Sequence, residues 1–296
     1  MPSPQIVKLK AVLREKRLPP GAATPIPLRR ELMKKVAFRV AEDITVVAME
    51  AGGRPAEQLR APGSSTDHVV LYLHGGGYVM GSPHTHRALA GELARVAAAT
   101  VLLPDYRLAP EAPFPAAVDD ALAAWRDLLE AGHAPQRLAI AGDSAGGGLA
   151  VATLLAAREA GLPMPAAAVA LSPWADLCCD NDSYATCAAS DPMIHPDDVR
   201  YMAERYLQGT DPHSPLASPN HADLRGLPAL LVHVGRDEVL LDDAVALDAA
   251  ARRDGVVSTL EIWDDMIHVW HAFHPMLDEG REAIAGIGRF LRANWR

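Results

Sequence analysis

Residues 139–148 have the sequence AIAGDSAGGG, and the prediction of the fold starts from them. The apolar run at the start of this stretch is typical of a short buried strand, and the Ala- and Leu-rich run after it is typical of a helix. Between the two lies Gly142-x-Ser144-x-Gly146, a pattern found where a nucleophilic serine occupies a strand-to-helix turn. Glycines on both sides of the serine remove side chains that would collide in so tight a turn. Ordinary glycine-rich turns also contain this pattern. The rest of the chain therefore has to show whether Ser144 lies in a catalytic turn.

Strand-like and helix-like segments alternate on both sides of this turn. We expect strands over 69–73, 100–103, 138–141, 166–171, 229–234 and 259–263, and helices over 85–98, 116–130, 145–160, 242–253 and 274–294. Two further segments, 44–49 and 58–61, suggest antiparallel strands at a sheet edge. This alternation predicts an α/β fold with a mostly parallel central sheet of about eight strands and helices on both faces.

Two segments interrupt the alternation. The first carries helical patterns over 5–17 and 27–40 and lies before any strand; the second holds Asp, Asn, Ser and Pro clusters around one helical pattern, over 196–207. We expect both to belong to a helical cap. The predicted organisation is an N-terminal part of the cap (1–42), a first part of the core (43–176), a cap insertion (177–226) and a second part of the core (227–296).

Composition and charge exclude several classes of function. A net charge of −9 over 296 residues argues against nucleic acid or an anionic membrane surface as the partner. No apolar run is long enough to span a bilayer, and the first residues lack a basic-then-apolar export signal, so we expect a cytoplasmic protein. The three cysteines, at 178, 179 and 187, match no zinc-binding spacing, and we expect reduced thiols and no metal. The glycine clusters match neither a dinucleotide-binding nor a P-loop pattern, so no cofactor is expected.

A serine nucleophile requires a base, and the base requires an acid that orients it. In hydrolases with this kind of turn, the chain order is serine, acid, histidine. The strand predicted over 229–234 leads into Asp237, which is therefore the expected acid. Asp242 and Asp243 fall at the start of the next helix, where carboxylates favourably oppose the helix dipole.

The base is expected after the last strand, where His268 follows a short loop. His271 and His274 come three and six residues later, and we interpret them as structural or surface histidines. The order Ser144, Asp237, His268 is thus the one that a catalytic triad of this type requires.

A third feature supplies hydrogen-bond donors for the negative charge that forms during such a reaction. The strand predicted over 69–73 ends in His74, and three glycines follow it at 75–77. Such a turn leaves backbone N–H groups uncovered, and donors of this kind stabilise the oxyanion that forms when a carbonyl is attacked.

Four motifs together resemble the hormone-sensitive-lipase-like family of bacterial carboxylesterases, including its monoterpene ε-lactone hydrolases. They are HGGG at 74–77, DYRLAPE at 105–111, GDSAGG at 142–147 and SPWADL at 172–177. The resemblance covers most of the chain from about residue 69 onward. It implies an α/β-hydrolase fold with a helical cap, and it assigns Ser144 as nucleophile, His268 as base and Asp237 as acid.

The same resemblance implies finer features. The backbone N–H groups of Gly76, Gly77 and Ala145 would form the oxyanion hole, short acyl chains would be preferred, and a homodimer could form through an edge strand. One departure is Glu238, which follows Asp237 where the family often has proline. We expect Glu238 to lie outside the chemistry.

Six residues are candidates for the substrate pocket. Four follow the glycine loop or the base directly, and two lie on the predicted cap helix, where the alternative is packing of the cap on the core. These candidates are Tyr78, Val79, Val269, Trp270, Met202 and Tyr206.

The sequence therefore predicts a serine carboxylesterase that hydrolyses short-chain acyl esters through an acyl-enzyme. The expected partner is a small-molecule ester or lactone. The same triad would also serve a lactone hydrolase or an amidase, because the pocket rather than the triad selects the substrate. A ligand-binding protein on the same fold is a more distant alternative, since all three triad residues are present.

Overall fold

In a computed structural model, which describes residues 2–295, the chain builds an eight-stranded sheet. The strands are β1 (Thr45–Ala51), β2 (Arg54–Arg60), β3 (Val69–Leu73), β4 (Thr100–Pro104), β5 (Leu138–Asp143), β6 (Ala167–Leu171), β7 (Ala229–Gly235) and β8 (Ser258–Trp263). Their order across the sheet is β1-β2-β4-β3-β5-β6-β7-β8. β2 pairs antiparallel with both β1 and β4, and the remaining pairs are parallel. The predicted α/β fold with a mostly parallel sheet is confirmed.

The helices connect these strands and precede them. They are α1 (Pro4–Glu15), α2 (Ile26–Val36), α3 (Pro83–Ala97), α4 (Ala116–Glu130), α5 (Ala145–Glu159), α6 (Ser183–Thr186), α7 (Pro196–Leu207), α8 (Leu241–Arg253) and α9 (Asp278–Asn294). The last helix begins at Asp278 rather than at the expected residue 274, because a 3-10 helix over Trp270–Phe273 and a turn after it come first. Among residues 2–295, no helix has both the length and the apolar character needed to cross a bilayer.

The central strands are buried on both faces, and successive side chains enter different cores. Val69, Leu71 and Leu73 of β3 belong to one apolar core, which also contains residues of α4, α5 and α8. Val70 and Tyr72 point to the opposite face and pack with residues of α3 and α9. Alternation along each strand therefore fills two cores at once, as a parallel sheet covered by helices on both sides requires.

The N-terminal segment and the insertion between β6 and β7 contact each other through a buried ion pair. Arg29 of α2 donates to Asp198 of α7, with 2.6 Å between Nη2 and Oδ1. The backbone N–H of Gly21 donates to the same oxygen at 2.7 Å. The helix predicted over 196–207 is present as α7. The division into cap and core units remains a prediction, and this contact agrees with a cap made from both segments.

Candidate active site

Ser144 occupies the turn between β5 and α5. Its φ of 53° and ψ of −123° are rare for a residue with a side chain. The two flanking glycines make the turn possible: a Cβ on Gly142 would collide with the carbonyl oxygen of Gly146, and one on Gly146 with that of Leu73. Ser144 is partly exposed although both of its neighbours are buried. The turn therefore presents its hydroxyl at the carboxyl edge of the sheet.

The loops after β7 and β8 reach the same edge, because β5, β6, β7 and β8 run parallel. His268 lies after β8 and is 4% exposed. Its Nδ1 is 3.0 Å from Oε2 of Glu238, which lies after β7 and is fully buried. Nδ1 is thus paired with a carboxylate, and Nε2 remains as the nitrogen for proton transfer. Within the described chain, the Oγ of Ser144 has no hydrogen-bond partner.

The expected contact between Asp237 and His268 is wrong. The Asp237 side chain is 29% exposed and forms an ion pair with Nζ of Lys10 on α1, at 2.5 Å from Oδ2. The chain turns here, since the N–H of Glu238 donates back to the carbonyl of Gly235. Asp237 consequently faces the N-terminal helix, whereas Glu238 faces the imidazole. Glu238, which was expected to lie outside the chemistry, is therefore the carboxylate beside the imidazole.

Glu238 is held by hydrogen bonds to its other oxygen. Its Oε1 accepts from the N–H of Gly235 at 2.5 Å and from the hydroxyl of Ser172 at 2.7 Å. Ser172 Oγ in turn accepts from the N–H of Val269 at 3.0 Å, one residue after His268. Ser172 therefore connects the acid to the loop of the base. In the sequence, Ser172 is recognisable only as part of the SPWADL motif. Its left-handed φ of 44° depends on the folded backbone and cannot be read from that motif.

The electrostatics of this pair suit a base. Burial alone would lower the pKa of His268, but the hydrogen bond and the charge of Glu238 outweigh it, so the pKa is raised above the ordinary value of 6.5. The more distant carboxylates of Asp191 and Asp143 act in the same direction. Burial raises the pKa of Glu238, and its hydrogen bonds from His268, Gly235 and Ser172 oppose that rise.

The glycine loop after β3 lies beside the serine turn. Gly76 and Gly77 have positive φ values of 122° and 61°, conformations that favour glycine. In the part of the chain that the structure describes, the N–H groups of Gly76, Gly77 and Ala145 donate to no other protein group. Ala145 is the first residue of α5, so its N–H also lies at the positive end of the helix dipole. These three donors are available to an oxyanion.

A buried carboxylate connects the glycine loop to the serine turn. Asp143, directly before the nucleophile candidate, accepts from the hydroxyl of Tyr72 at 2.7 Å and from the N–H of Gly75 at 3.1 Å. Its second oxygen lies 3.4 Å from Nε2 of His86. Although burial acts to raise the pKa of Asp143, His86 and Tyr72 hold it below its ordinary value. The sequence analysis did not predict these contacts, since His86 belongs to none of the four motifs.

Of the pocket candidates, three lie together next to the glycine loop. The rings of Tyr78 and Tyr206 stack with centroids 3.9 Å apart. The thioether of Met202 on α7 contacts Gly77 so closely that a Cβ there would collide with its sulfur. Val79 is buried and accepts from the guanidinium of Arg30 through its carbonyl, at 2.7 Å.

The other two candidates follow the base. Val269 is buried and belongs to the core on the α3 and α9 side of the sheet. Trp270 packs in a third apolar cluster with Ile6, Ile267 and Leu277. The structure thus brings Met202 and Tyr206 to the glycine loop and places Trp270 among packing residues.

Comparisons with known proteins show the family of this chain. A family model described as the α/β-hydrolase fold matches residues 70–272. An acetyl-hydrolase from Streptomyces hygroscopicus is 56% identical over 237 residues, which are 80% of this chain and 79% of the relative. The crystal structure of EstE5 has a TM-score of 0.98 and 60% identity over 99% of both chains. An esterase from the bacterial hormone-sensitive lipase family has a TM-score of 0.96 and 48% identity over 100% of both chains.

The chain therefore belongs to the α/β-hydrolase family, in the branch of the bacterial hormone-sensitive-lipase esterases. It is a carboxylic ester hydrolase, as the sequence predicted.

Proposed function

We propose that this hydrolase cleaves short-chain acyl esters through an acyl-enzyme, with Ser144 as nucleophile, His268 as base and Glu238 as acid. The observation that carries the proposal is the 3.0 Å contact between His268 Nδ1 and the buried carboxylate of Glu238. A base is effective when its second nitrogen is held by a fixed acceptor, because this sets the tautomer and stabilises the imidazolium.

The first half of the reaction forms the acyl-enzyme. Ser144 Oγ attacks the ester carbonyl carbon while Nε2 of His268 takes the hydroxyl proton. The carbonyl oxygen becomes an oxyanion and accepts hydrogen bonds from the N–H groups of Gly76, Gly77 and Ala145. When the carbon–oxygen bond of the ester breaks, His268 returns the proton to the leaving alcohol.

The second half releases the acid. A water molecule takes the place of the alcohol and gives a proton to Nε2 of His268 as its oxygen attacks the acyl carbon. The tetrahedral intermediate then collapses, and the proton returns to Ser144 Oγ as the carboxylic acid leaves. Glu238 stays ionised throughout and stabilises the imidazolium in both halves.

The preference for short acyl chains is supported by Met202, which closes the space over Gly77. The stacked rings of Tyr78 and Tyr206 lie next to it. Two relatives agree: the Streptomyces protein is named as an acetyl-hydrolase, and EstE5 was soaked with p-nitrophenyl butyrate.

The test is a hydrolysis series with p-nitrophenyl acetate, butyrate, octanoate and palmitate, together with simple lactones and amides. Acetate and butyrate should have the highest kcat/KM, and Ser144→Ala should lower kcat on the order of 10⁶-fold while remaining folded. In a quenched reaction, mass spectrometry should find one acyl group on the peptide that contains Ser144. Undiminished turnover by Ser144→Ala would refute the proposed nucleophile, and a clear preference for lactones would refute the proposed substrate class.

A further inference from the structure

A second group of reactive side chains lies outside the triad, at the base of the insertion between β6 and β7. Cys178 follows β6, and His213 and His221 lie between α7 and β7. One ligand atom from each of the three lies within 4.8 Å of the others. The thiol and the imidazoles come from segments that are distant in sequence, which is why the spacing of the cysteines alone did not indicate this group.

A buried carboxylate lies beside one of the imidazoles. Oδ1 of the buried Asp176 lies 3.2 Å from Nε2 of His221, and that nitrogen lies 3.7 Å from Sγ of Cys178. The backbone N–H of Cys178 donates to the same carboxylate oxygen at 3.0 Å, which fixes the direction of Asp176. The donors that lie close to one another are thus the thiol of Cys178 and the imidazoles of His213 and His221, and the Asp176 carboxylate lies beside His221.

The surroundings resemble those of metal-bound histidines. Asp211 Oδ1 lies 3.1 Å from Nδ1 of His213 and also accepts from the backbone N–H of that residue at 2.9 Å. Metal-binding histidines usually give their other ring nitrogen to such a carboxylate, which orients the ring and sets its tautomer. The contact with Asp211 leaves Nε2 of His213 for a ligand.

We propose that Cys178, His213 and His221 bind Zn²⁺, with the neighbouring Asp176 carboxylate turning to the ion as the fourth ligand. Zinc takes sulfur, imidazole nitrogen and carboxylate oxygen in tetrahedral geometry, and thiolate ligands favour it over Mg²⁺ or Ca²⁺. A thiolate and a carboxylate together balance the charge of the ion, and the thiol releases its proton to solvent when the metal binds.

The ion would cross-link two segments that are already in contact. The N–H of Leu177 donates to Ser218 Oγ at 2.7 Å, and the N–H of Asn220 donates to the carbonyl of Ala175 at 3.2 Å. The first segment continues from Trp174, whose N–H donates to the carbonyl of Ser144 at 2.9 Å. We therefore assign the metal a structural role, at the place where the insertion leaves the core.

The proposal is tested by metal titration of the full chain after treatment with a chelator. Co²⁺ replaces Zn²⁺ in such sites and reports its ligands, because a thiolate ligand adds a near-ultraviolet charge-transfer band and tetrahedral geometry gives intense visible bands. The wild type should bind one equivalent and show both signals. Cys178→Ser should lose the charge-transfer band, and Asp211→Asn should lower the affinity about 10- to 100-fold. Zn²⁺ should displace Co²⁺ and raise the Tm of the wild type.

Cys187→Ser is the matched control, since Cys187 lies in the same insertion and is also a free thiol but is outside the cluster. It should keep both signals. His213→Gln, at an exposed position, provides a second variant that does not disturb the core. The assignment is overturned when the wild type shows no charge-transfer band, when Cys178→Ser retains it, or when His213→Gln binds Co²⁺ as tightly as the wild type.

Discussion

Glu238 and Asp237 provide a matched pair of substitutions that tests the proposed triad. They are adjacent acidic residues, but Glu238 is fully buried against His268, whereas Asp237 is partly exposed and paired with Lys10. The amide variants Glu238→Gln and Asp237→Asn each remove one negative charge and preserve the size of the side chain. The structure predicts very different consequences for catalysis.

The effect of Glu238→Gln follows from the hydrogen bonds of its two oxygens. Oε1 accepts from both Gly235 and Ser172, so the amide oxygen of glutamine has to occupy that position. The NH₂ group then faces Nδ1 of His268 and donates to it, which places the imidazole proton on Nε2. That tautomer cannot take a proton from Ser144. The corresponding amide substitution in a serine protease lowers kcat about 10⁴-fold.

We therefore expect Glu238→Gln to lower kcat/KM by about 10³- to 10⁴-fold, or about 4–5 kcal/mol of transition-state stabilisation. Asp237→Asn removes a partly exposed ion pair, which contributes at most about 1 kcal/mol, so kcat/KM should stay within about fivefold of the wild type. The assay is p-nitrophenyl acetate hydrolysis, with circular dichroism and Tm recorded for each variant. The reasoning is refuted when Asp237→Asn loses the activity and a folded Glu238→Gln keeps it.

Three further perturbations follow from contacts in the structure. His268 has to be unprotonated to act as a base and its pKa is raised, so activity should be lost as the pH falls through a midpoint above 6.5; a midpoint below 6.5 in the kcat/KM profile contradicts this. Met202→Ala should raise kcat/KM for octanoate relative to acetate esters, because the space over Gly77 opens, and should lower the free energy of unfolding by about 2–5 kcal/mol; an unchanged ratio contradicts the role of Met202. Arg29→Met leaves Asp198 buried without its partner and should lower the free energy of unfolding in urea by about 3–5 kcal/mol; a loss below about 1 kcal/mol contradicts the buried pairing.

Much of the fold followed from local patterns. Short apolar segments that alternate with segments of helical periodicity predicted the parallel sheet. Strands buried on both faces have few polar positions and therefore appear as such apolar segments. Residues 44–61 predicted the antiparallel edge, although β2 begins at Arg54, before the segment expected for it. The helix α7 was predicted with its bounds, since Pro196 can only begin a helix and an apolar face follows it.

The site could be predicted down to the loop but not down to the residue. The chain order of serine, acid and histidine placed the acid after β7, where Asp237 and Glu238 are adjacent. Consecutive side chains in a turn point in different directions, and only the backbone path determines which one meets the imidazole. The pairing of Asp237 with Lys10, more than two hundred residues away, is equally invisible in a local pattern.

The contact between Asp143 and His86 was not predicted, for a related reason. Asp143 was visible in the motif around the nucleophile, but its partners come from β3, from the glycine loop and from α3. Contacts of this kind depend on the packing of three separate elements. A buried acidic residue directly before a nucleophile is nevertheless a signal, because a buried carboxylate requires partners that stabilise its charge.

The ion pair between Lys10 and Asp237 bears on the design of chimaeric esterases. The first helix precedes the core, so it is a natural block to exchange between relatives. Here the block carries the cation that holds the residue next to the acid. A donor segment without a basic side chain at position 10 would leave the partly exposed Asp237 carboxylate without its ion-pair partner. The first helix and the loop after β7 should therefore be exchanged together.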